Sequence, residues 1–125
     1  MNRAPSLILV CALACSLTAC SIARQGYEDA QLQAREASLK TMLSQLRDII
    51  KQYELDRGSP PGKLNDLVTA GYINTIPEDP ITGKADWILV MKKCPTSSSN
   101  CKEGIVDIRS ASKSKSTQGN LYSEW

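Results

Sequence analysis

Leu39, Met42, Leu43, Leu46, Ile49, Ile50 and Tyr53 recur at i, i+3, i+4, i+7, i+10, i+11 and i+14, which is one stripe of an α-helix. Lys40, Gln45, Asp48, Lys51 and Glu54 fall off that stripe. Traced back through Leu32 and Ala37, the pattern predicts one helix from near Glu28 to Asp56, about 43 Å long at the usual rise per residue. Gly58 suits the position just past a helix end, and Pro60-Pro61 forbid continuation. The stripe lasts about two heptads, too short for a coiled coil, so it is expected to pack on its own domain.

A short second helix is predicted over Lys63–Ala70, with Leu64, Leu67 and Val68 facing inward and Gly71 ending it. Residues 72–84 hold two prolines, each pushing its predecessor out of helical geometry, and Thr82-Gly83 reads as a turn. Trp87–Met91 is a continuous apolar run and predicts a buried strand; Ile105–Ile108 predicts a second. The two are expected to pair as a hairpin. Residues 110–120 are small and polar, hence a loop, and Tyr122 and Trp125 are expected to pack back on the sheet. The fold class is therefore α+β, a long helix packed on a small antiparallel sheet.

The first twenty residues follow a different logic. Arg3 is their only charge, Leu7–Ala14 is unbroken and apolar, and small residues lead to Leu17-Thr18-Ala19-Cys20. A positive start, a short apolar core and a small-residue cleavage site describe an export signal. The last four residues resemble the bacterial lipobox, which implies cleavage after Ala19 and lipid attachment at Cys20. Two other readings are an ordinary secretory signal and an uncleaved membrane helix, although a spanning helix wants about 20 mostly apolar residues. The lipobox reading divides the chain into a signal over 1–19, a lipidated polar tether or start of a helix over 20–38, and a globular domain over 39–125. Ser21 is not the Asp that resembles the inner-membrane retention signal, so an outer-membrane anchor facing the periplasm is favoured.

Export also fixes the cysteine chemistry. Of five cysteines, Cys11 and Cys15 leave with the signal and Cys20 takes lipid, which leaves Cys94 and Cys101. In an oxidising compartment these two are expected to form a disulfide across Pro95–Asn100, worth roughly 2.5 kcal/mol on the chain-entropy account. A redox-active pair would sit two residues apart near a helix N-terminus.

Charge and composition mostly exclude. In 125 residues there are 15 Lys+Arg against 13 Asp+Glu, interspersed, with no clustered basic face for nucleic acid. The chain has no His, which removes serine-triad and papain-type catalysis and His-ligated metal sites. The candidate carboxylates for catalysis are Asp79, Asp107 and Glu124, with no base, metal ligand or phosphate-cradling Gly loop around them. No enzyme activity, cofactor, metal or small-molecule substrate is expected.

Several of these pieces in this order are similar to the soluble part of the major pseudopilin of type II secretion and its pilin-like relatives, over roughly residues 39–125. The resemblance is carried by Tyr53-Glu54-Leu55-Asp56-Arg57-Gly58, Pro60-Pro61, Leu64-Asn65-Asp66-Leu67 and Gly71-Tyr72-Ile73. It continues in Ile76-Pro77-Glu78-Asp79-Pro80-Ile81-Thr82-Gly83-Lys84, a Trp-containing strand, Gly104–Ser110, and Tyr122-Ser123-Glu124-Trp125. It implies a pilin-like fold and a role in the filament that helps drive proteins through an outer-membrane channel.

Two departures shape the expectation. Members of that family begin with a prepilin leader and an apolar helix that becomes the filament spine, whereas residues 1–38 here read as a lipobox and a charged stretch. Members also hold Ca²⁺ in a C-terminal loop with carboxylates and carbonyls. Residues 110–123 contain no Asp or Glu and carry Lys113 and Lys115, so no calcium is expected. Asp107 and Glu124 are expected to be solvated or salt-bridged. The implied function is a lipid-anchored accessory or structural component of a secretion or type IV pilus-like machine, partnered by the membrane and by other pseudopilin or secretion proteins. The alternative is a membrane-tethered periplasmic binding module that keeps only the fold.

Overall fold

The amphipathic stripe does form a helix. The structure, a computed structural model, describes the backbone of residues 5–125 and the side chains of residues 24–125. Helix α1 runs Pro5–Arg57, so the segment expected as a tether is helical as well. The signal segment 1–19 and Cys20 lie outside the residues with described side chains. Among the described residues no helix is long and apolar enough to cross a membrane. The chain divides into two compact units, Met1–Ala34 and Arg35–Trp125. In the first, the described side chains are almost all exposed, and Arg24 and Glu28 pair across one helical turn at 3.3 Å.

In the second unit, Leu39, Leu43, Leu46 and Ile50 are buried, with Met42, Ile49 and Tyr53 packed beside them. Gly58 closes α1 in the left-handed region at φ 69°, its N–H donating to the Glu54 carbonyl at 2.8 Å. Helix α2 is shorter than expected, Asn65–Thr69, and buries Leu67. Its start is fixed by the Asp66 carboxylate, which accepts from the Gly62 and Lys63 N–H groups at 2.9 and 3.0 Å.

Strands β1 (Ile88–Lys92) and β2 (Gly104–Arg109) pair antiparallel in a two-stranded sheet. The architecture is therefore α+β, a long helix packed on a small antiparallel sheet. Leu89 lies opposite Ile108 and Met91 opposite Ile105, with the register shifting between Val90 and Met91. Val106 is the extra residue of that bulge. It lets Ile105 and Ile108, three positions apart, both reach the core, which plain strand alternation forbids.

The other edge of β2 is closed by the proline segment. The Ile105 N–H donates to the Pro61 carbonyl at 2.7 Å. A Cβ on Gly104 would stand 2.7–2.8 Å from Pro60 Cγ and the Pro60 and Pro61 carbonyl oxygens, so only glycine fits there.

One expectation is corrected. β1 was read as a buried strand, yet Ile88, Leu89 and Met91 remain 42%, 37% and 44% exposed, while Ile105 and Ile108 are fully buried. An apolar run signals burial only where a layer covers it, and β1 is the edge of a two-stranded sheet.

Candidate functional site

Glu36 organises the C-terminal segment. It lies on the same helical face as Leu39 and Leu43, and its carboxylate accepts from the Thr117 N–H, the Thr117 hydroxyl and the Tyr122 hydroxyl, each at 2.7 Å. It is buried, although it falls in the stretch 20–38 expected as a polar tether or the start of a helix, and it lies within the compact unit Arg35–Trp125. Burial alone would raise its pKa. The Thr117 and Tyr122 hydrogen bonds and the Lys40 ammonium outweigh that and hold it below the usual carboxylate value. Burial, then the Glu36 hydrogen bond, pushes the Tyr122 phenol up to about 12.

The segment 110–120, expected as a plain loop, is internally bonded. Ser110, Ser112 and Ser116 are buried. Their hydroxyls accept from the Ser112, Ser114 and Gln118 N–H groups in turn, a run of short side-chain turns. Ser116 and Asn120 close a turn, with the Ser116 N–H on the Asn120 carbonyl at 2.7 Å. The Ser110, Ser112 and Ser116 hydroxyls are thus turned toward the loop's own backbone, and Thr117 toward Glu36. Lys113, Lys115 and Glu124 are exposed. Among the described residues no group of three or more potential ligands gathers to hold a metal.

Asp79, in the Pro-Glu-Asp-Pro turn, is fully buried. It accepts from the Ile81 N–H at 2.7 Å and from the Ser110 hydroxyl, tying this turn to the end of β2. Its own carbonyl receives the Gly83 N–H at 2.7 Å. Trp87 buries its ring, and its indole N–H donates to the Pro77 carbonyl at 2.8 Å. Every polar atom of Asp79 is thus absorbed by the fold.

Asp107 is salt-bridged. Arg47 Nε contacts it at 2.6 Å, while Arg47 Nη2 donates to the Ile108 and Trp125 carbonyls at 2.9 and 2.8 Å. Burial opposes ionisation of Asp107, but the Arg47 hydrogen bond, the Ile108 N–H and the charges of Arg47 and Arg109 hold its pKa low. Arg47 was missed in the sequence because it flanks the apolar stripe without belonging to it.

Trp125 packs edge-on against Tyr122 at 5.1 Å, and Tyr122 is buried in the same core as Ile105 and Ile108. The Lys40 ammonium lies 4.5 Å from its ring centre. Between them opens a cleft of about 410 Å³ lined by Lys40, Leu43, Arg47, Gln118, Asn120 and Trp125. Arg47 is already engaged by Asp107 and two carbonyls, so Lys40, two amides and an indole remain, a lining that suits a polar partner group better than an apolar one.

Cys94 and Cys101 form the expected disulfide, Cα atoms 5.6 Å apart, across the connection between β1 and β2. No protein-family model, no curated protein and no solved structure matches this chain.

Proposed function

We propose that this protein is a lipid-anchored, pseudopilin-like component of a type II secretion or type IV pilus-like machine, acting in a structural or accessory role. The observation that carries the reading is the place of the motif residues in the fold. Asp79 of the Pro-Glu-Asp-Pro-Ile-Thr-Gly turn is a buried anchor to Ser110, and Tyr122 of the terminal motif is the buried partner of Glu36. Two of the residues that carry the resemblance are thus ones this fold depends on. The loop bonded through Glu36 and its own serines stands where the family places calcium, with no carboxylate of its own. Attachment of lipid at Cys20, two acyl chains or more, anchors the protein stably and keeps it out of a filament spine.

Intact-mass and N-terminal analysis of the protein from its native membrane, beside Cys20→Ala, tests the anchor. A mature chain starting at acylated Cys20, lost in the variant, is the expected result. A retained segment 1–19 contradicts it. Deletion of the protein should impair secretion or piliation, and unchanged secretion and piliation would sink the assignment to such a machine.

The cleft beside Trp125 favours a second reading, a tethered binding module that has kept only the fold. Under it, substitution of Lys40 and Asn120 abolishes capture of a ligand while secretion is untouched.

A further inference from the structure

We infer that β1 is a self-association strand, pairing antiparallel with β1 of a second copy of this chain. The inference stands on the hairpin alone and does not rest on the functional reading above.

The two edges of the sheet differ. On the outer edge of β2, the Ile105 N–H is taken by Pro61, the Ile108 N–H by the Asp107 carboxylate, and the Ile108 carbonyl by Arg47. On the outer edge of β1, no backbone hydrogen bond among the described residues reaches residues 88–92 other than the ladder to β2. An uncovered strand edge is a template for another strand. Its side chains offer apolar surface on both faces, since Ile88, Leu89 and Met91 are all exposed.

The charge pattern selects the occupant. The segment reads Asp86-Trp87-Ile88-Leu89-Val90-Met91-Lys92, an acid, five apolar residues and a base. Antiparallel pairing of two copies centred on Leu89, carried two residues past the observed start of β1 at Ile88, sets each Asp86 opposite the other copy's Lys92. It also sets Ile88 against Val90 and Leu89 against Leu89. Because the side-chain period is two, the matched residues share a face in that register. Parallel pairing would instead bring Lys92 and Lys93 beside their own copies, which like-charge repulsion disfavours. Lys92 is only loosely engaged in the monomer, 3.7 Å from Glu54 at the surface, a type of pair worth little and easily shared. Asp86 is exposed and accepts from the Thr82 hydroxyl at 2.6 Å, which leaves its carboxylate facing solvent.

A strand this short makes a small two-fold interface, below about 1,200 Å², in the weak and transient class. Association therefore depends on local concentration.

Cysteine cross-linking of the full chain in cells tests it. Leu89→Cys brings two thiols together at the two-fold centre, so mild oxidation should give a dimer on a non-reducing gel. Leu55→Cys, exposed on α1, should add no dimer beyond that of the unsubstituted chain, which already carries Cys11, Cys15 and Cys20 in whatever state they have in the cell. In the Leu89→Cys background, Asp86→Lys or Lys92→Asp alone should lower the dimer yield about tenfold. The double exchange Asp86→Lys/Lys92→Asp should restore it, which a folding defect would not do. No dimer with Leu89→Cys, equal dimer with Leu55→Cys, or a yield indifferent to the charge exchange would overturn the proposal.

Discussion

The two strands of the hairpin carry similar apolar sequences and have opposite fates. Ile105 and Ile108 of β2 are fully buried, while Met91 and Leu89, directly across the ladder, stay substantially exposed. The cause lies outside both strands. β2 shares a core with the α1 stripe and has its outer edge closed by Pro61 and Arg47, whereas β1 has no backbone hydrogen-bond partner but β2 among the described residues and reaches α1 through the surface pair Lys92–Glu54. Burial here is decided by how many layers reach a strand, and composition is a weak guide to it.

The largest expected effect separates the strands directly. Ile108→Ala should cost about 4 kcal/mol in chemical denaturation, as a fully buried truncation does. Leu89→Ala, on the same cross-strand pair, should cost under about 1 kcal/mol. Equal costs would erase the contrast. Gly104→Ala should cost about 3 kcal/mol, because the new Cβ meets proline atoms on both sides and pries β2 from its covering segment. Removing the disulfide with Cys94→Ser/Cys101→Ser loosens both strands at once and should cost roughly 2.5 kcal/mol.

The last effect concerns the loop beyond β2. Glu36→Gln should cost about 2 kcal/mol, since its amide places donors where Thr117 and Tyr122 already donate. The same substitution should change the pH profile. The carboxyl of Glu36 is held below its ordinary value of 4.5, so its contribution is present above that pH and is lost as pH falls toward the lowered folded value. Denaturation midpoints from neutral pH down through this window should fall less steeply in Glu36→Gln. A residual slope of the same sign should persist, from Asp107.

The sequence made much of this legible. The stripe from Leu39 to Tyr53, the stop at Gly58 before two prolines, the hairpin and its disulfide all rest on local rules of period, backbone freedom and loop closure. Glu36 escaped because it was grouped with the charged residues before the stripe. It sits three positions before Leu39 and seven before Leu43, so the helical period already placed it on the buried face. A charge on an apolar stripe is the signal that was available. The exposure of β1 had no such signal, since a run of five apolar residues looks alike in a covered strand and an uncovered one. The bulge at Val106 was hidden for a related reason, since only the partner strand reveals that two residues oppose one.

The most direct test of the one-sided hairpin is residue-resolved amide hydrogen exchange on dilute, monomeric protein. The Ile105 and Ile108 amides should exchange only with global opening, while outward-facing amides within residues 88–92 exchange far faster. Uniformly slow exchange along β1, as slow as along β2 and unchanged on further dilution, would mean that this edge is already covered and would contradict the account.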